Sequence, residues 1–216
     1  MNSRTMTLLL TLVLCLGFAA TVAAQDILWN QTEGYQNFAM GYFNSVSGAP
    51  PMGMTSYTVN DVVVPEGGWN IGAIRTYYQV TDANWGTAIS QGYLYIHPKT
   101  GSSPTEAAGT GEIIPMIATD IGGWWEITAD LGSYELGAGE YWIGITPFAP
   151  AGMMGPDIQA SVPAVGDDSP SYDPYGFPMP MWMVWNGGLD ATLLIEASST
   201  VATENTTLDG LKANYR

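Results

Sequence analysis

"WWEITADL", residues 124–131, carries the clearest periodicity in the chain. Trp125, Ile127, Ala129 and Leu131 fall on one side of an extended backbone. Trp124, Glu126, Thr128 and Asp130 fall on the other. One apolar and one polar face at a period of two marks a half-buried strand of an antiparallel sheet. Similar short apolar runs recur on both sides of it, punctuated by Gly, Pro, Asn and Asp. They predict strands at 26–30, 57–64, 69–80, 91–97, 112–119, 124–131, 140–146, 181–185 and 190–197. No long 3.6-residue apolar repeat interrupts them before the tail. The predicted fold is all-β: a single jelly-roll-like β-sandwich, mostly antiparallel, of about nine strands over residues 25–197.

Two runs carry finer detail. In "WNIGAIRTYYQV", residues 69–80, the apolar phase shifts at Gly72, which predicts a bulge. In "PYGFPMPMWMVWNGG", residues 174–188, Asn186-Gly187 suits a type I′ turn, so 181–197 reads as a hairpin. Both faces of 181–185 are apolar, and Pro178 and Pro180 confine the preceding segment to an edge or to non-strand. Residues 44–56, 98–110 and 147–180 read as long loops.

The ends of the chain are different in kind. Arg4, the apolar run "TLLLTLVLCLGFAATV" and the small residues "VAA" form a secretory signal peptide, residues 1–24. Cleavage after Ala24 leaves a chain with no cysteine and no predicted transmembrane segment, since Cys15 lies in the leader. Residues 198–216 are a polar linker and a short tail.

The net charge is −15, and losing Arg4 makes it one unit more negative. Such a surface argues against nucleic acid and anionic membranes. Aromatics make up 12% of the residues, too many for a disordered acidic chain. The domain is predicted to be secreted, at the cell surface or free outside the cell.

"NDVVVPEGGWNIGAI", residues 60–74, resembles the "DDF-x-VP-x-GG-W-x-I" strand pair of uncharacterised secreted bacterial β-sandwich domains. Asn60-Asp61-Val62 stands where that pattern has Asp-Asp-Phe. "LGAGEYWIGI", residues 136–145, resembles their later "L-x-x-G-x-YW-x-x-I" strand. The resemblance implies a fold rather than a ligand. "TTLDGLKANYR", residues 206–216, resembles the "T-W-G-x-IK-x-x-YR" tails that end many secreted proteins of environmental bacteria, which implies sorting or anchoring.

Candidate chemistry is sparse. His97 is the single histidine, so neither a zinc set nor a histidine-based triad has sequence support. Asp120, Glu126, Asp130 and Glu140 near strand ends are candidate glycosidase carboxylates. Asp167, Asp168 and Asp173 in "GDDSPSYDP" are a candidate calcium set; no other cofactor is expected. Trp124, Trp125, Tyr141, Trp142, Trp182 and Trp185 are candidates for stacking on a polysaccharide. Asn30 and Asn205 head glycosylation sequons.

Phe177, Met179, Met181, Trp182, Met183 and Trp185, with the loop methionines Met52, Met54, Met153 and Met154, form a candidate partner surface. "QDILWNQ", residues 25–31, is a candidate donated strand. The function expected from these features is a non-enzymatic structural or surface subunit that self-associates into a filament or surface layer. The alternatives are a carbohydrate-binding module and, third, an extracellular hydrolase. N-terminal sequencing of the exported protein should begin at Gln25; soluble protein that retains Met1 would overturn the leader assignment.

Overall fold

The computed structural model describes residues 25–36, 39–43, 46–47, 56–79, 84–105, 111–149, 157–172, 181–184 and 188–199. They form an all-β body, nearly all of it antiparallel. The larger layer orders β1 (Ile27–Gln31), β14 (Leu193–Ala197), β6 (Trp69–Gln79), β9 (Trp125–Leu136) and β8 (Glu112–Asp120). β11 (Asp157–Ser161) also pairs with the end of β6, and carries β2 (Ala39–Phe43) and β13 (Asp190–Ala191). The smaller layer continues from β8 to β7 (Gln91–Pro98), β10 (Gly139–Ala149) and β5 (Asn60–Val64). β3 (Val46–Ser47) pairs with β10 in parallel, and β4 (Tyr57–Thr58) pairs with β12 (Ser171–Tyr172).

β8 belongs to both layers. Residues up to Pro115 pair with β7, and Met116 onward pairs with β9. Pro115 has no N–H to donate and sits where the pairing changes over. The layers are thus joined along β8 and face each other across the gap between β1 and β5. Ile71, Ile74, Ile127, Ile143, Ile145 and Ile195 fill the space between them, each at most 2% exposed. Full burial of such a side chain contributes about 1.5–3 kcal/mol.

The alternation in 124–131 is present, with the strand starting at Trp125. Ile127 and Ala129 are wholly buried and Trp125 and Leu131 pack on the core, while Asp130 is exposed. The bulge at Gly72 is present too. Ile71 pairs with Tyr134 and Ala73 with Asp130, so Leu131, Gly132 and Ser133 stand opposite Gly72. A Cβ at Gly72 would lie 2.6 Å from the Ala197 carbonyl oxygen, so only glycine lets β14 pass this closely.

Three expectations need correction. First, the described residues form fourteen strands rather than about nine: two long runs are interrupted, β2, β3, β11 and β12 arise where no strand was expected, and 181–184 makes only a bridge. Val59 N–H turns to Pro170 O, and Thr192 N–H turns to Gln159 O. Second, residues 181–184 do not pair with 188–197 as a hairpin. Met183 instead exchanges both main-chain bonds with Ser171, while 190–197 pairs with β11, β1 and β6. The local Asn-Gly turn signal was outcompeted by tertiary pairing partners. Third, "QDILWNQ" is not held out for donation: residues 27–31 pair with the chain's own β14.

The alternation makes a measurable contrast. Ile127→Ala should lower unfolding free energy by about 2–5 kcal/mol, whereas Thr128→Ala should change it by about 0.5 kcal/mol. Equal shifts in denaturant midpoint would contradict the face assignment.

Candidate functional site

Two polar clusters lie near the β1–β5 gap, and both depend on residues distant in sequence. The first is buried. Gln31 points inward from β1, Asn60 from β5, and Asp190 lies on β13; all three are at most 2% exposed. Gln31 Nε2 donates to Asp190 Oδ2, while Gln31 Oε1 accepts from Trp29 Nε1 at 2.6 Å and from Asn60 Nδ2 at 3.1 Å. Asn60 Nδ2 also donates to Ala191 O. The Ser169 hydroxyl donates to Asn60 Oδ1 and accepts from Ala191 N–H. Asp190 further accepts from the N–H groups of Val165 and Ser169, which fastens the 162–170 segment to the body.

Burial pushes the Asp190 carboxyl up to about 6. The charges of Asp61 and Asp168 add to this, and the bonds from Val165 and Ser169 oppose it.

The second cluster lies on the outward side of the smaller layer. Paired strands place His97, Trp142 and Asp61 in one row across β7, β10 and β5. Lys99 follows β7 directly and passes over Trp142, its Nζ 5.1 Å from the ring centre. Nζ lies 2.8 Å from Asp61 Oδ2 and 2.8 Å from Asp167 Oδ2. Asp61 Oδ2 also accepts from Asp167 N–H at 3.0 Å. Gly166, at φ +81°, lies against this carboxylate, where a Cβ would collide with it. Burial alone would lower the Lys99 ammonium; hydrogen bonds to Asp167 and Asp61 outweigh it, and the net direction is upward. Beside this cluster, Ser102, Ser103, Asp167, Asp168, Trp182 and Val184 help to line an open groove of about 380 Å³.

The residues singled out by sequence fall as follows. Asp167 is engaged by Lys99, and Asp168 accepts from Gly188 N–H. Asp173 lies outside the described residues. Among the described residues, no group of three or more His, Cys, Asp or Glu could hold a metal ion. Trp182 is half-buried, its ring 5.6 Å from Tyr95 and 5.7 Å from Tyr172. Met183 packs against the main core, while Met181 is 64% exposed. Phe177, Met179, Trp185, Met52, Met54, Met153, Met154 and Asn205 lie outside the described residues. Asn30 is exposed on β1 and its Oδ1 accepts from both the N–H and the hydroxyl of Thr32. His97 sits beside the Tyr95 ring at 4.2 Å.

Three of the four candidate carboxylates are occupied locally, and Glu140 is exposed at the start of β10. Glu126 is ion-paired with Arg75, which also grips Glu196; Asp120 and Asp130 each accept a main-chain N–H two residues on. Among the described residues, the candidate stacking rings do not share a surface. Trp125 and Tyr141 pack on the core, Trp142 is fully buried, and Trp182 covers Tyr95. An aromatic group that sequence reading missed lies on the outer face of the larger layer. Tyr35 stacks on Tyr77 at 4.5 Å, with Trp124 edge-on to Tyr35 at 6.2 Å.

Asp190 generates a pH prediction. Its folded value lies above its unfolded value, so the native state binds the proton more tightly. Stability from this group is fully present below about pH 4 and is lost as pH rises through about 6. Across that window wild type should lose about 2–3 kcal/mol relative to Asp190→Asn, measured by denaturant unfolding at pH 4 and pH 7.5. Parallel pH profiles for the two proteins would refute it. No family model matches the chain, and comparisons with curated proteins and with solved structures also found no match.

Proposed function

We propose that the protein is a secreted, non-enzymatic structural or surface subunit that associates with copies of itself. The observation that carries this reading is the placement of its exposed aliphatic residues. Ile27 on β1 and Val63 on β5 flank the gap between the layers, 58% and 55% exposed. Ile113 and Ile117 lie on the outward side of β8, 54% and 64% exposed, with Pro115 between them. β8 stands midway round the strand order from that gap, so the two apolar strips occupy opposite sides of the body. Different patches on opposite sides favour head-to-tail contacts, which grow open chains rather than closed pairs.

The strand edges are weakly guarded. Natural edges are usually protected by lysine or inward-pointing charge. β1 carries no charge, and the single charge of β5, Asp61, is turned to Lys99. The strong negative charge opposes association, so assembly should strengthen with salt.

A second reading is a carbohydrate-binding module. The Tyr35–Tyr77–Trp124 group favours it, because ring faces beside the Arg75–Glu126–Glu196 row combine stacking with hydrogen bonding.

Light scattering and electron microscopy of the mature protein test the first reading. Wild type should form particles that grow with concentration and salt. A variant with Ile113→Lys and Ile117→Lys should stop at the monomer, as should one with Ile27→Lys and Val63→Lys. Mixing the two should yield one-to-one dimers, because each retains the strip the other has lost. A wild type that stays monomeric at high salt and high concentration would sink the proposal. Retention on insoluble polysaccharide, lost in Tyr77→Ala, would then support the binding module.

A further inference from the structure

The Lys99 cluster contains the reactants of a covalent bond. Lys99 Nζ and the Asp61 carboxylate touch at 2.8 Å, with side chains only 13% and 7% exposed. Asp167 contacts the same nitrogen at 2.8 Å and is half open to solvent. Asp61 Oδ1 and Trp142 Nε1 are buried and have no hydrogen-bond partner, and the two residues are directly paired across β5 and β10. An ionised carboxylate with one bare buried oxygen is costly, since charge removed from water needs full compensation. Replacing the ion pair by a neutral amide removes both charges.

We propose that Lys99 and Asp61 condense to an intramolecular amide that ties β7 to β5 across β10, with Asp167 carrying the protons. The inference is independent of the assembly reading. Asp167 takes a proton from the Lys99 ammonium and passes it to the Asp61 carboxylate, so amine and acid both become neutral. The amine nitrogen attacks Asp61 Cγ and forms the C–N bond. The Trp142 indole N–H, buried without a partner on the adjoining strand, is the nearest candidate by strand pairing to turn toward the oxyanion that develops on Asp61. A second proton moves from nitrogen through Asp167 to the departing hydroxyl, the C–O bond breaks, and water leaves. Asp167 ends as it began, and no oxidant, reductant or further reactant is consumed.

The amine and acid together hold the same protons as the ion pair, so their fraction depends on local polarity rather than on bulk pH. Desolvation by itself works against the Lys99 ammonium, and this is the contribution that makes the neutral amine accessible. Fixed contact replaces a bimolecular encounter, an advantage that reaches about 10⁵ M or more in effective concentration. The net upward direction at Lys99 makes the neutral amine the minor form, so the bond should mature over time after folding.

Intact-mass measurement of the mature protein, followed by a peptide map, tests the proposal. Wild type should be lighter by one water, with a branched peptide joining the segments around Asp61 and Lys99. The branched peptide distinguishes this from loss of ammonia by cyclisation of an N-terminal Gln25. Lys99→Gln should have full mass and a lower thermal midpoint. Asp167→Ala retains both bonding partners; its cross-link should be absent from fresh protein or accumulate at least tenfold more slowly. Wild type of full mass with no branched peptide, after prolonged incubation of folded protein, would overturn the bond. Cross-linking in Asp167→Ala at the wild-type rate would overturn the role of Asp167.

Discussion

The gap between β1 and β5 has to be closed without a main-chain ladder. Every other strand junction round the body is made by backbone pairing, but here two edges meet with their side chains. Gln31 and Asn60 are primary amides, able to donate and accept at once, and they bridge the gap from opposite sides. Both then extend the chain of bonds to Asp190, Ser169 and Ala191. An apolar seam would bury the same volume without holding the layers in register. A polar one is costly unless every member is satisfied, and this one is well supplied with partners. Its burden falls on Asp190, a carboxylate kept out of water at neutral pH.

That network also explains why the smaller layer carries cover on its outer side. Val165 and Ser169 N–H groups dock on Asp190, which positions the following residues over β5 and β10. Ser171 then pairs with Thr58 and with Met183, and Trp182 closes over Tyr95. Trp142, outward-facing on its strand, is thereby fully buried. Burial by this segment, rather than by the sandwich interior, encloses the contact between Lys99 and Asp61 and leaves Asp167 at its open rim.

Sequence periodicity carried the layers well, because alternation at 125–131 and the phase break at Gly72 are local effects of pleat and bulge. The all-β class followed from them. The seam had no such signature. Gln31 and Asp190 are separated by 159 positions, and neither breaks an apolar pattern conspicuously. The stretch 181–185 shows the opposite failure. Its apolar content was visible, but its partner was Ser171 rather than the strand after Asn186-Gly187, and nothing local distinguishes the two. Aromatic dipeptides were similarly ambiguous: Trp124 and Trp125 adjoin in sequence and face opposite sides, while Tyr35 reaches Tyr77 from a distant turn. For the charged cluster one signal was present and underused. Only two cations occur between residues 25 and 197, so each was worth tracing to the carboxylates it must meet.

Those two cations have another consequence. Trypsin-like proteases need an extended, accessible chain on both sides of Lys or Arg. Arg75 lies in the middle of β6, hydrogen-bonded between β14 and β9, with its guanidinium held by Glu126 and Glu196. Lys99 is clamped by Asp61 and Asp167, and its own N–H donates to Glu140 O. Among the described residues, the domain therefore offers such enzymes no ready point of attack. With Arg75 fixed inside a sheet and Lys99 held by two carboxylates, the described body is built to resist cleavage at its cations.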